Sequence, residues 1–191
     1  MIFKRIVAIC GAKGSGKDET GSILVKGGGE YERLKFATPL KDSLKVLFGF
    51  DEEQVEGSSK EIVDERWGIT PRSAMQFFGT EIMQQRIQDI MPGIGREFFA
   101  RRLVTLIKER PRDQRFVITD MRFPHEADLI RREFHDEVFI IKIMRSNLDA
   151  SDSHLSERAY LDIEADATIT NDSTIDDLIT ALESSRQTCD L

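Results

Sequence analysis

Cysteine is nearly absent from this sequence: Cys10 and Cys189 are the only two in 191 residues. They stand at opposite ends, one closing an apolar run and the other in a polar tail. That spacing excludes a disulfide framework and offers no metal-ligand pattern. No apolar stretch is long enough to cross a bilayer, so no membrane partner is expected. The first apolar run, Ile2–Cys10, is too short for a secretory signal and leads directly into a glycine-rich turn. A reducing cytoplasm is the expected location. An excess of basic residues is also missing. The 27 Lys and Arg against 34 Asp and Glu leave a net charge of −7. This argues against a general nucleic-acid-binding face, though not against a local basic pocket. Repeats and low-complexity tracts are lacking too, and a chain of this length can bury roughly 70% of its unfolded surface in one core.

What the chain does have is Gly11-Ala12-Lys13-Gly14-Ser15-Gly16-Lys17-Asp18, placed between an apolar run and a helical pattern. Strand, glycine-rich turn, Gly-Lys and helix together form a phosphate-binding loop. Glycines let successive backbone N–H groups curl around phosphate oxygens. The following helix points its positive end at the same anion. Lys17 is expected to reach the β- and γ-phosphates. Asp18 stands where Ser or Thr normally ligates Mg²⁺. The bland alternative is a turn that merely joins a strand to a helix, and the full Gly11-to-Lys17 spacing argues against it.

Beyond the loop, strand and helix patterns alternate. Tyr31–Phe36 reads as a short strand, and Pro39 opens a helix to Phe48 with Leu40, Leu44 and Leu47 at helical spacing. Asp51–Arg66 reads as a polar surface excursion with room for a short helix. Pro71 opens a helix carrying Met75, Phe78 and Ile82, and another follows Gly95. Arg115–Asp120 is a strand, Pro124–Phe134 a helix, and Glu137–Met144 an apolar strand covered on both faces. Ser146–Asp162 reads as loop or short helices. Ala167–Thr170 is a last strand, Ile175–Leu182 a last helix, and the chain frays from Ser184. The fold class expected is α/β: a three-layer P-loop NTPase fold with a mostly parallel sheet and helices on both faces. It comprises a single domain over 1–191.

Ligands of such sheets bind beyond the carboxyl ends of the strands, where Gly11, Ala37, Asp120, Arg122 and Arg145 fall. Asp120 can hold Mg²⁺ and Arg122 can grip a phosphate. Arg72 and Gln76, one turn apart, share a face suited to a phosphate and a base edge. The same spacing also describes a solvated face, and Arg101 and Arg102 are equally ambiguous. Arg145 and Arg158 lie where a closing segment would bring a cation onto a transferring phosphoryl group and exclude water. Arg145 is better placed relative to the sheet. His154 sits in a polar loop, a position open to substrate or to solvent alone. Trp67 and Phe77-Phe78 could stack on a base, but aromatic residues at helical spacing more often form core.

These stretches resemble, in order, the bacteriophage deoxynucleoside monophosphate kinases. The resemblance runs through the Gly-Lys-Asp loop at Gly11–Asp18 and Phe36-Ala37-x-Pro39-Leu40-Lys41. It continues in Met75-Gln76-x-x-Gly79-Thr80-Glu81 and Asp120-x-Arg122 with His125-Glu126. His154-x-Ser156-Glu157 and Ile169-Thr170-Asn171-Asp172 complete it. It implies a P-loop kinase that transfers phosphate from ATP to deoxynucleoside 5′-monophosphates, in the cytoplasm of a host cell, with a helical acceptor-binding region inserted at 37–112 and a mobile lid at 145–165. ATP would lie on Gly11, Ala12, Lys13, Gly14, Ser15, Gly16, Lys17 and Asp18. Mg²⁺ would be held by Asp18 and Asp120, directly or through water. The acceptor would meet Phe36, Ala37, Pro39, Lys41, Arg72, Gln76, Asp120, Arg122 and His154. Lys17, Asp18, Arg122 and Arg145 would serve catalysis, and a homodimer is a reasonable expectation. Animal phosphomevalonate kinase is also similar in its Gly-Lys-Asp loop and Asp-x-Arg. A kinase for a phosphorylated non-nucleotide therefore stays open, as does a nucleotide-binding regulator that transfers to no acceptor. The expected chemistry is in-line transfer to an already ionised phosphate oxygen, which calls for positioning and cations and not for a strong general base.

Overall fold

Five short runs of β-branched and apolar residues pair side by side, all parallel, in the order β2-β3-β1-β4-β5. They are β1 (Ile6–Gly11), β2 (Tyr31–Leu34), β3 (Arg115–Met121), β4 (Val138–Met144) and β5 (Ala167–Thr170). The computed structural model describes residues 3–146 and 158–186. β1 is central and buried throughout, which explains why it reads as continuous apolar sequence instead of alternating. Its register runs Ile6 opposite Val138 and Gly11 opposite Ile143 on one side. On the other, Ile6 faces Phe116 and Cys10 faces Met121, with an irregularity between Ala8 and Cys10.

Two compact units make up the chain. The first holds Met1–Phe36 and Leu103–Leu191, and the second Ala37–Arg102. In the first, side-chain alternation divides the sheet into two faces. Val7, Ile9, Val117, Phe139, Ile141 and Ile143 pack with Leu24 of α1 (Lys17–Lys26) and Leu178 and Leu182 of α7 (Ile175–Arg186). Ile6, Ala8, Phe116, Ile118 and Ile140 point the other way and are fully buried. On that side α6 (Pro124–Phe134) packs against β4. Each large side chain buried this completely contributes about 1.5–3 kcal/mol. A Lys108–Glu133 ion pair of 2.5 Å joins α6 to the last residue of α5 (Phe98–Lys108).

The second unit carries α2 (Thr38–Phe48), α3 (Glu52–Val55) and α4 (Pro71–Gln76) around a small core of Leu44, Phe50, Val55 and Ala74. Here the elements depart from the sequence reading. Leu47 is 60% exposed although it shares the helical spacing of buried Leu44. The 51–66 excursion is not all surface: Asp51 caps α3, Val55 is buried, and buried Asp64 takes bonds from Arg66 and Gln54. The helix opened by Pro71 makes α turns only to Gln76 and then winds wider, as a π-helix, over Phe77–Gln85. Gly79 lies under Leu40 so closely that a Cβ there would sit 2.8 Å from the Leu40 side chain. In the first unit, α7 continues to Arg186, beyond the predicted end at Leu182.

Candidate active site

Parallel strands leave their polar loops at one edge, and the strand order opens a crevice there. The chain leaves β1 toward β2 and leaves β4 toward β5, in opposite directions. The crevice between such strands is where ligands bind in open α/β sheets. Gly11–Lys17 fills it. Gly11 lies against β4, so that a Cβ would run into the Ile143 carbonyl. Gly16 caps α1 with φ 102, a left-handed conformation open to glycine. Between them the Ser15 N–H donates to the Ala12 carbonyl at 3.2 Å. The Ser15 hydroxyl is fully buried and has no hydrogen-bond partner among the described residues.

Among the described residues, two cations rest on this loop. Lys17 Nζ donates to the Ala12 carbonyl at 2.5 Å, and Arg145 Nη1 donates to the Gly14 carbonyl at 3.3 Å. Both carry positive charge onto a segment that the dipole of α1 already makes attractive to anions. Lys13 and Asp18 are exposed, and the Asp18 carbonyl accepts from Arg33 and from the Ser22 hydroxyl. One strand away, Asp120 ends the buried run of β3 with Oδ1 on the Phe36 N–H at 2.8 Å. This bond ties the segment after β2 to the end of β3.

Arg122 follows, half-buried, in the turn to α6. Glu126, in the first turn of α6, accepts from the Arg122 and Phe123 N–H groups at 2.8 and 3.0 Å. Burial pushes the Glu126 carboxyl up to about 8. The two N–H donors act against that shift, and the neighbouring Asp120 carboxylate adds to it. Cys10, at the floor of the edge, is a buried free thiol raised by burial to about 11 and is inert as a nucleophile at neutral pH.

The first unit thus brings together Gly11–Asp18, Phe36, Asp120, Arg122 and Arg145 at or beside one sheet edge. The other expected residues lie in the second unit. Ala37 precedes α2, and Pro39 opens it. Lys41 is paired with Glu56 at 2.7 Å, and Arg72 with Glu61 at 2.7 Å. Gln76 is exposed at the end of α4. Arg101 is paired with Glu97, and Trp67 packs edge-on against Phe48 with its Nε1–H on the Phe48 carbonyl. His154 lies outside the described residues. Among those described, no three His, Cys, Asp or Glu cluster to hold a metal.

Three contacts went unread in the sequence. Glu126 and Asn171 belonged to recognised stretches without a role, and the Phe36 amide had no signal at all. Asn171 Nδ2 donates to the Ser15 carbonyl at 2.9 Å, and Asp172 accepts from Ser146. Position was the available clue, because both residues follow a strand at the edge where the loop sits.

Comparison with known proteins gives a family and a fold. A family model for deoxynucleotide monophosphate kinase matches residues 50–182. A protein of Acanthamoeba polyphaga mimivirus, provisionally named a deoxynucleotide monophosphate kinase, is 34% identical over 180 residues. The match covers 90% of this chain and 91% of the relative. Among solved structures, a gluconokinase from Sinorhizobium meliloti superposes with a TM-score of 0.51 at 9% identity. It covers 100% of this chain and 94% of its own, a likeness of fold alone. The APS kinase of Mycobacterium tuberculosis, at 0.49 and 12% over 98% and 99% of the two chains, adds no further argument.

Proposed function

The chain belongs to the deoxynucleotide monophosphate kinase family, and from that premise we propose which of its residues carry the transfer from ATP to a nucleotide monophosphate. The activity is that of the family, and its substrates are nucleotides. The family leaves the non-nucleotide acceptor and the non-transferring regulator without support.

One observation carries the residue assignment: the loop of Gly11–Lys17 holds two cations at the β1/β4 crevice, with the Asp120 carboxylate one strand away. Backbone N–H groups of the loop bind the triphosphate of ATP, and Lys17 exchanges the Ala12 carbonyl for phosphate oxygens. Asp18 and Asp120 are two hard oxygen donors, the kind Mg²⁺ takes beside phosphate oxygens and water, and they are the residues to hold it. Bound there, the ion would neutralise charge on the phosphates. Arg145 and Arg122 stabilise the transferring group and the acceptor phosphate. Phe36 and the Asp120-to-Arg122 turn are the acceptor contacts of the first unit. Ala37, Pro39, Lys41, Arg72 and Gln76, all of the second unit, are assigned to the acceptor by the family resemblance alone. The acceptor oxygen is already ionised near neutral pH, so positioning and cations suffice.

Self-association as a homodimer belongs to the same proposal. Val46, Leu47 and Ile62 of the second unit, each at least 60% exposed, supply apolar area for it. Sedimentation of the intact chain distinguishes monomer from dimer.

The test of the function is ADP release with ATP and Mg²⁺ over dTMP, dGMP, dCMP, dAMP and their ribose counterparts. Turnover with at least one deoxynucleotide, and loss of it in Lys17→Met, is expected. Turnover of Lys17→Met near that of the unsubstituted enzyme removes the loop from the mechanism.

A further inference from the structure

The turn that follows β5 touches the phosphate loop, and nothing in the transfer chemistry uses it. Asn171 is anchored by its own N–H on the Met144 carbonyl at 2.8 Å. Its side-chain Nδ2 donates to the Ser15 carbonyl at 2.9 Å. The amide lies so close that a Cβ on Gly16 would collide with Nδ2. The next residue, Asp172, accepts from the Ser146 N–H at 2.8 Å and its hydroxyl at 2.5 Å. Those bonds, with the Arg145 charge behind them, hold the Asp172 carboxyl below its usual range. Two consecutive residues therefore brace both the loop and the segment that carries Arg145.

The Ser15–Gly16 peptide is the sensitive point. In a trans peptide the carbonyl and the following N–H point in opposite directions. Gripping the Ser15 carbonyl from the β5 side therefore fixes where the Gly16 N–H points. Glycine at φ 102 offers little resistance to a flip of that peptide, and a flip would turn a carbonyl dipole toward the anion. We propose that Asn171 is a positioning residue for the triphosphate: it holds the Ser15–Gly16 peptide with its N–H, and not its carbonyl, toward the phosphates. The proposal rests on the phosphate-loop reading above and adds to it a residue that touches no substrate.

Three variants of the full chain test it: Asn171→Ala, Asn171→Ser and Asn171→Asp. Asn171→Ala removes the donor. The KM for ATP is expected to rise about tenfold, as for loss of one oriented hydrogen bond, with the KM for the deoxynucleotide acceptor within about twofold. Asn171→Asp places a carboxylate against the Ser15 carbonyl and beside the triphosphate, and should weaken ATP binding further than Asn171→Ala does. Calorimetric titration with ATP alone should reproduce the order. A purely structural role would lower thermal stability and active fraction while leaving the KM for ATP in place. An unchanged KM for ATP, or equal rises for both substrates, overturns the proposal. If Asn171→Ala does not fold, the smaller change to Ser supplies the same readout. Lys17→Met, measured in parallel, separates the two readings. An inactive Lys17→Met beside an Asn171 variant with normal ATP affinity sinks only the bracing role, whereas an active Lys17→Met sinks the loop assignment itself.

Discussion

At the scale of single residues, the site depends on where charge is held before a ligand arrives. Lys17 sits on a carbonyl of its own loop, so moving to phosphate exchanges one strong acceptor for a better one. Lys17→Met keeps the stem and removes the charge. Turnover should fall at least about a hundredfold, as for other oriented donors to a transferring group, with the thermal midpoint unchanged; steady-state kinetics beside a melting curve check both. Gly16 has the opposite constraint, being required for what it lacks. Alanine there meets a left-handed backbone and the Asn171 amide together. Gly16→Ala should cost about 1–2 kcal/mol of stability from the backbone alone, measured by urea unfolding, and should lower ATP affinity besides. The need for glycine at 11 and 16 was legible from spacing. The neighbours that enforce it, the Ile143 carbonyl and Asn171, lie more than a hundred residues away and were not.

At the scale of elements, the β3–α6 turn shows how a buried acid shapes a site. Glu126 collects the N–H groups of Arg122 and Phe123, and so sets the direction in which the chain leaves Asp120. Its carboxyl lies near 8 when folded against an ordinary 4.5. Between those values the folded chain binds more protons than the unfolded one. This group's contribution to stability is therefore complete below about pH 4.5 and is lost as pH rises through 8. Urea midpoints should fall between pH 6 and 9, and Glu126→Gln should flatten that decline. An identical slope in the variant would assign the dependence to other groups. The helix after Pro71 carries a different lesson. Met75, Phe78 and Ile82 have α spacing, yet the backbone widens to π turns at Phe77. Local periodicity reports which residues are apolar, while the hydrogen-bond pattern answers to packing such as that of Gly79 beneath Leu40.

For the whole molecule, the uneven size of the two cores decides where the chain opens first. Among the described residues, one face of the sheet buries twelve in a single cluster, whereas the second unit has a cluster of Leu44, Phe50, Val55 and Ala74, with Ile87, Ile94, Phe99 and Ala100 buried besides. Regions with few buried contacts open locally at lower free energy. Leu44→Ala removes a fully buried side chain from that small core, at about 2–5 kcal/mol. Amide exchange of residues 37–102 should then accelerate, while β1, β3 and β4 keep their protection. Uniform acceleration across both units would mean that they open as one.

The amino-acid sequence alone determined the alternation of strands and helices, because buried parallel strands must be apolar throughout and helices repeat every three to four residues. It also determined the phosphate loop, because the loop's chemistry is carried by contiguous backbone and one lysine. Tertiary structure decided the rest: the strand order β2-β3-β1-β4-β5, the placing of Arg145 on the loop, the anchoring of Asp120 to Phe36 and the grip of Asn171 on Ser15. Those are contacts between residues distant in the chain. Only packing the sheet brings such partners within hydrogen-bond reach, and no local pattern encodes which carbonyl a side chain will meet.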